Sequence, residues 1–571
     1  MNKTDASIDL DNLVQQVSRQ KLMEHIDEFA RRIKLSGTPE ELESFRYLER
    51  RMREYGFQTT LLSHDAYISL PGASRLTVAG QEIASITQSM AASTPAGGLE
   101  AELVYAGEGD EAAFRAIDAR GKIALIDGIA VEDVSVAARA AGAVGEIHIS
   151  PTEHLYEMCI SAVWGSPSQH TREGLPVTAV CTVSRDDGER LRARLQAGET
   201  LNAVMHTTVD TGWCKTPLLV ADLMPGHLAG DDEAPFVMFS GHHDTWHYGV
   251  MDNGGANASM LEAARLLAAQ AAHWRRGLRV CFWSGHSHGR YSGSAWYADE
   301  FWDELDRRCA VHVNLDSTGG KGASVLTRSG VVDELKAVAA DAVAAISGQQ
   351  HAGRRQSRAG DQSFWGVGIP SMFGSLSHQP PGKEKMLVPL GWWWHTPLDL
   401  AENIDPENLD RDTRVILHVL GRLLTAPVLP LAYGDYADAL RQELAGLAEA
   451  IGSRLDLSKL VAQAEDLKRA AEVLAASPVS DPDAARRADA ALMRASRSLV
   501  PINYTEGDRF VHDSALPNRP WPSLEGLREL ARLDADAEET PFYVAHARRT
   551  RNRVGHALRE ALAALREGTA G

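Results

Sequence analysis

The side chains best suited to chemistry in this chain are imidazoles and carboxylates that fall where strands should end. The apolar run Phe236–Phe239 reads as a buried strand and delivers Ser240-Gly241-His242-His243-Asp244. Asp252 then opens Asp252-Asn253-Gly254-Gly255, ahead of an Ala- and Leu-rich helix expected over Ala258–Gln270. A second buried strand from Leu278 runs into Gly285-His286-Ser287-His288-Gly289, and a third, from Ala310, ends on Asp316. Trp392-Trp393-Trp394-His395 supplies a last imidazole. Singly, a histidine is more often a hydrogen-bonded structural residue than a ligand, and an Asp after a strand is often a helix cap. Their conjunction points to a divalent metal. Open α/β sheets bind ligands at the carboxyl ends of their strands, and imidazole with carboxylate is a zinc-type donor set.

The chemistry assigns roles. Asp252 offers two oxygens and can bridge two cations. His242 and Asp316 complete one metal, and His395 helps complete the other. Asp244, two residues from His242, is expected to hydrogen-bond the imidazole's other nitrogen, fixing its tautomer. Two ions about 3.5–4 Å apart can activate water and stabilise a tetrahedral oxyanion.

The elements that must hold these residues read as an α/β protein with a mixed sheet flanked by helices. Thr38-Pro39-Glu40-Glu41 starts a helix, with Thr as N-cap and Pro at the first helical position. Residues 1–70 and 216–430 form one domain carrying the site. Residues 71–215, where short strands alternate with helices, form an α/β insert, and its His154, His170 and Cys159 show no convergent spacing. Residues 431–571 are mostly helical. A net charge of −19 argues against nucleic acid or an acidic membrane face as partner. Five scattered cysteines without CxxC spacing suit a reducing compartment. No signal peptide or transmembrane run is apparent, so a cytoplasmic protein is expected.

The chain resembles the co-catalytic zinc aminopeptidase and glutamate carboxypeptidase family, in its glutamate carboxypeptidase and transferrin-receptor-like architecture. Ser240-Gly-His-His-Asp, Asp252-Asn-Gly-Gly, Phe282-Trp-Ser-Gly, Asn314-Leu-Asp-Ser, Gly368-Ile-Pro and His395-Thr-Pro-Leu-Asp carry the resemblance, with Ser36-Gly37-Thr38-Pro39 upstream. The insert, ending Gly174-Leu-Pro-Val-Thr-Ala-Val, is similar to a protease-associated domain, and the tail from Leu431 resembles a helical dimerisation domain. The resemblance implies His242, Asp252 and Asp316 at one metal, Asp252 and His395 at the other, and a homodimer.

One stretch departs from the pattern. After the Phe-Trp strand the family has two consecutive glutamates, a general base and a metal ligand. Here the segment is His286-Ser287-His288-Gly289-Arg290-Tyr291-Ser292-Gly293-Ser294, without a carboxylate and one residue longer. Counted from Trp283, His286 holds the base position and Ser287 the ligand position; counted back from Gly293-Ser294, His288 holds the ligand position. Three arrangements follow: His286 or His288 as a replacement ligand, His286 as the acid/base, or a site with its second metal absent. A dead, receptor-like site is the fourth. Arg290, Tyr291, Trp394 and Asp361 are candidate substrate contacts. Arg354, Arg355 and Arg358 are placed to grip a carboxylate, with a solvated basic loop as the plain alternative, and His247 is a candidate for the entrance. The expected activity is metal-dependent hydrolysis of an amide C–N bond in a small molecule or short peptide, with Asp244 and His286 catalytic and His242, Asp252, Asp316, His395 and His288 as metal ligands. One or two zinc ions are expected, with iron or manganese as alternatives. The rivals are a mononuclear enzyme of non-peptidase chemistry (deaminase, lyase or oxidative) and a non-catalytic, receptor-like dimer.

Overall fold

A computed structural model describes residues 9–382, 389–479, 481–534 and 536–569. Twelve strands are described, numbered in chain order: β1 (Gln58–Val78), β2 (Gln81–Ile83), β3 (Ser85–Thr87), β4 (Leu99–Tyr105), β5 (Ile123–Asp127), β6 (Gly145–Ile149), β7 (Ala179–Val183), β8 (Asn202–Leu223), β9 (Phe236–His242), β10 (Gly277–Trp283), β11 (Cys309–Asp316) and β12 (Ser371–Ser375). They join in one large mixed sheet of order β12-β11-β9-β10-β8-β4-β5-β6-β7-β3, with β1 against β8 and β2 against β1.

The site-bearing part is β12-β11-β9-β10, all parallel. Every residue of β9 and β10 is buried, as their nearly unbroken apolar sequence requires of parallel strands covered on both faces. The helix after β9 spans Ala256–Ala268 and is buried on nearly every side. Small residues allow that: a Cβ on Gly255 would stand 2.2 Å from the Thr318 carbonyl oxygen. At the end of β9, a Cβ on Gly241 would stand 2.6 Å from that of Leu315.

The second run of parallel strands, β4-β5-β6-β7, packs its own apolar core around Ile123, Leu125, Ile147 and Val183. It is not joined through linkers at residues 70/71 and 215/216, where sequence patterning places the boundaries. Strands β1 and β8 run straight through both, paired from Gln58–Asp222 to Val78–Ala203 with one bulge between Pro71 and Ser74. β10 borders one end of β8 and β4 the other. Polar alternation along these two strands disguises each as two shorter ones.

The C-terminal helices, Tyr433–Ile451, Ser458–Ala476, Pro482–Tyr504, Glu525–Arg532 and Thr540–Thr569, share the main apolar core with the site-bearing strands. Buried arginines tie them down. Arg497 donates to the carbonyls of Leu305, Asp306, Cys309 and Gly368. Arg276 meets Asp489 and the carbonyls of Leu423 and Ala426.

Candidate metal centre

Parallel register sets the stage. Trp283 lies beside His242 and Asn314 beside Ser240, so the ends of β9, β10 and β11 open on one edge. Asn253 fastens two of those ends: its amide donates to the carbonyls of His242 (3.1 Å) and Leu315 (3.3 Å) and accepts from the Ser317 N–H (3.0 Å). Asp252 sits in the turn Val250–Gly255 that precedes the helix. There the Asp399 carboxylate accepts the N–H groups of Met251 and Asp252, at 2.9 and 3.0 Å. Burial pushes Asp399 up to about 7. The fully buried Lys34 donates to the carbonyls of Phe29, Arg32 and Tyr248, anchoring the loop that leads to Asp252. Nothing local in sequence marks Lys34 for this task. The position of Asp399, four residues after His395, was the available signal for the other.

At the edge itself, His242 Nε2 stands 3.1 Å from Asp252 Oδ1 and 3.5 Å from Asp316 Oδ1. His395 Nε2 stands 3.1 Å from Asp252 Oδ2. His242 Nε2 and Asp252 Oδ1 are both buried and neither has a hydrogen-bond partner. Three histidines are held in one tautomer. Nδ1 of His242 donates to the Asp244 carbonyl (2.9 Å), Nδ1 of His395 to the Glu157 carbonyl (2.7 Å), and Nδ1 of His286 to the Asp361 carboxylate (2.9 Å). With Nδ1 so occupied, each ring presents its Nε2 to the site. His242, His286 and Asp316 offer donor atoms all within 4.8 Å of one another, the one such group among the described residues.

Electrostatics say the same. Burial lowers the His242 imidazole, but the carboxylates of Asp316 and Asp252 outweigh it and hold the ring well above its ordinary range. Burial raises Asp252, but His242 and His395 outweigh that and hold it well below. A carboxylate buried as deeply as that of Asp252 demands a cation. Facing nitrogen and oxygen donors without partners suit zinc, which takes imidazole and carboxylate together.

The structure separates the two histidines of the departing segment. His286 joins the cluster, its ring stacked on His242 at 3.7 Å between centroids. His288 does not: its Nδ1 faces the Ser36 hydroxyl (3.0 Å) and its ring lies against Trp246. The structure thus brings His286, and not His288, to His242 and Asp316. Downstream, Arg290 and Tyr291 take left-handed φ of 49° and 69°.

Asp244 differs from expectation. Its main-chain carbonyl, not its carboxylate, meets the His242 ring, because a residue two beyond a strand-end histidine turns its backbone toward the imidazole. The carboxylate lies 3.7 Å from His242 Nδ1. It accepts instead from the Ser36 hydroxyl (2.6 Å) and the N–H groups of Ser287 (2.9 Å) and His286 (3.3 Å), clamping the segment after β10.

A pocket of about 350 Å³ stands over the cluster, lined by Asp252, His286, Asp316, His395, Trp394 and Arg290 among others. Trp394 stacks on His395 at 3.4 Å, and Tyr291 meets His286 edge-on. Arg290 is spoken for by Glu132, at 2.6 Å. Asp361 also accepts from Ser294 (2.8 Å), which meets Ser363, the acceptor of the Trp164 indole N–H. Arg355 and Arg358 donate to main-chain carbonyls of Asn503, Asp513 and Ser514. His247 stands 3.5 Å from Glu157. Glu132, Glu157 and Cys159, from the part inserted between β1 and β8, carry no motif, so only the fold reveals them at the site. Backbone strain gathers here as well: Arg290, Tyr291, Phe373 and His395 of the pocket wall have positive φ. A larger apolar groove of about 1040 Å³, between Trp164 and Phe510, contains none of the cluster residues.

Residues 224–420 match the model of peptidase family M28. The aminopeptidase YwaD of Bacillus subtilis (strain 168) is 27% identical over 408 residues, covering 69% of this chain and 80% of that protein. A probable glutamate carboxypeptidase of Arabidopsis thaliana, LAMP1, is 25% identical over 323 residues, covering 52% of this chain and 44% of its own length. The chain thus matches less than half of that plant relative. In fold, it resembles the zinc aminopeptidase BSAP from Bacillus subtilis, with a TM-score of 0.56 at 22% identity over 72% of this chain and 96% of that one. The aminopeptidase from Aneurinibacillus sp. strain AM-1 gives 0.55 at 22% identity, over 73% and 96%. The matched segment holds every member of the imidazole and carboxylate cluster, from His242 to His395. Among the described residues no helix is long and apolar enough to cross a membrane.

Proposed function

We propose that this protein is a zinc-dependent hydrolase that cleaves an amide C–N bond of a small molecule or short peptide. The observation that carries the reading is the meeting of His242, Asp252, Asp316 and His286, with unpartnered donor atoms facing one another at the floor of a pocket of about 350 Å³. Zinc bound there supplies Lewis acidity to a carbonyl and to water. The chain's own residues do the rest. Asp244, Asp361 and the Glu157 carbonyl orient the segment and the rings. Trp394 and Tyr291 wall the pocket and exclude water. A space this size admits a residue or two of substrate and no folded protein segment. Arg354, exposed at the rim with no side-chain partner among the described residues, is placed to meet a substrate carboxylate. M28 relatives named as aminopeptidases and glutamate carboxypeptidases support the reaction class. A second reading, non-peptidase chemistry at a single metal, is favoured by one fact: residues 284–294 offer no carboxylate for the family's general base.

Residues 71–215 fit the role of a protease-associated-type insert, since Glu132 and Cys159 line the pocket. The C-terminal helices fit that of a homodimer interface, with Val473 and Phe542 exposed on them. Five unpaired thiols suit the cytoplasm. Aminoacyl amides, dipeptides and N-acyl amino acids assayed before chelation, after it, and after zinc is restored test the reaction. Turnover that disappears and returns with zinc is expected. Tightly bound metal without cleavage of any amide would overturn the hydrolase in favour of the second reading.

A further inference from the structure

We infer that this chain holds one ion where its relatives' arrangement implies a pair, and that His286, set by Asp361, completes that single centre. The inference rests on the metal-centre reading above and concerns the number of ions.

Asp252 turns its two oxygens toward unequal company. Its Oδ1 faces His242, which shares donor atoms within 4.8 Å with Asp316 and His286. On the Oδ2 side stands His395 alone. Among the described residues no third His, Cys, Asp or Glu completes a group there. Each candidate is accounted for. Counted from Trp283, Ser287 occupies the position of the missing carboxylate, and its buried hydroxyl has no partner. The Ser287 N–H donates to the Asp244 carboxylate at 2.9 Å. His288 has its Nδ1 on Ser36 and its ring against Trp246, and its buried, unpartnered Nε2 joins no group of donor atoms among the described residues. His286 is drawn to the first side by stacking on His242 and by its bond to Asp361. A zinc site needs at least three protein ligands; one side of Asp252 has them and the other has two. A neutral imidazole in place of a carboxylate also leaves less negative charge, and so less capacity to hold two dications near each other.

The test counts metal on the intact protein. Native mass spectrometry and cobalt(II) titration followed by visible absorption should both saturate at one equivalent per chain. His395→Ala should keep that equivalent, and His286→Ala should lose it or bind it at least tenfold more weakly. Ser287→Glu restores the family carboxylate and should admit a second equivalent. Two equivalents in the wild-type protein, loss of the single ion in H395A, or a folded S287E protein still holding one would each overturn the inference. A wild-type protein that binds neither zinc nor cobalt would instead overturn the metal-centre reading beneath it. If S287E fails to fold, the wild-type count and H395A decide.

Discussion

Strands β10 and β11 carry deeply buried charge at both ends, and the two ends are built on opposite rules. At the amino ends stand Arg276, one residue before β10, and Arg497, which reaches the first carbonyl of β11 at Cys309. Both guanidinium groups are filled: Arg276 has Asp489 and two carbonyls, Arg497 has four carbonyls, and neither leaves a buried side-chain atom unpartnered. At the carboxyl ends, His242 Nε2 and Asp252 Oδ1 face each other at 3.1 Å with no hydrogen bond, and Ser287 and His288 also hold unpartnered atoms. Buried polar groups are normally paired. The closed end spends its charge on joining the C-terminal helices to the sheet, while the open end keeps its donors for something from outside. The ends of β11 are about 23 Å apart at roughly 3.3 Å per residue, so changes at one should hardly be felt at the other.

Breaking the closed end should cost stability and spare the metal. Arg276→Ala strands the Asp489 carboxylate in the interior, and we expect a loss of about 3–5 kcal/mol in urea unfolding with metal affinity unchanged. Breaking the open end should do the reverse. His242→Ala removes the donor between Asp252 and Asp316, and zinc affinity should fall by more than about 100-fold, beyond what loss of an outer partner causes, with near-ultraviolet circular dichroism preserved. Equal loss of metal in R276A would erase the distinction between the ends.

Much of the open end was legible from local patterns, because each donor sits at a strand end or helix start with its own signature. His-x-Asp after Phe236–Phe239, Asp-Asn-Gly-Gly and Leu-Asp-Ser are short, and the parallel register of β9, β10 and β11 does the remaining work. The segment after β10 was not legible. The contacts that tell its two histidines apart, Ser36 with His288 and Asp361 with His286, are remote in sequence. The closed end left no trace at all, since a buried arginine has no spacing signature. The half-polar strands β1 and β8 run on past residues 70 and 215 and bridge two packing environments, so the hydrophobic pattern changes there although the strands do not end.

One group at the junction with the C-terminal helices departs from the closed rule. Glu334 is buried, its carbonyl accepts the Ala432 N–H (2.8 Å), and burial pushes its carboxyl up to about 8. The folded protein therefore keeps a proton that the unfolded chain releases near its ordinary value of 4.5. Stability should fall as pH rises between those values and level off above about 8. Glu334→Gln should remove that slope, gaining about 3–4 kcal/mol over wild type at pH 8 relative to pH 5. Parallel pH profiles for the two proteins would show that the carboxyl is ionised in the fold and that the junction is as fully paired as its arginines.

The smallest effect expected is also the most selective. Asp361 does not stand over the cluster but holds His286 through Nδ1, as carboxylates hold ligand histidines elsewhere. It is fixed in turn by Ser294 at 2.8 Å. Asp361→Asn keeps the size and one acceptor but removes the charge, so the ring stays in place with a less basic Nε2. Zinc affinity should weaken on the order of tenfold, with the unfolding midpoint of the metal-free protein little changed and the cobalt(II) absorption band shifted. A structural role alone would move the midpoint and leave the band where it was. Asp361→Glu, which keeps the charge, should recover part of the affinity. D361N that binds cobalt with wild-type affinity and spectrum would place His286 outside the centre, and the open end would then rest on His242, Asp252 and Asp316 alone.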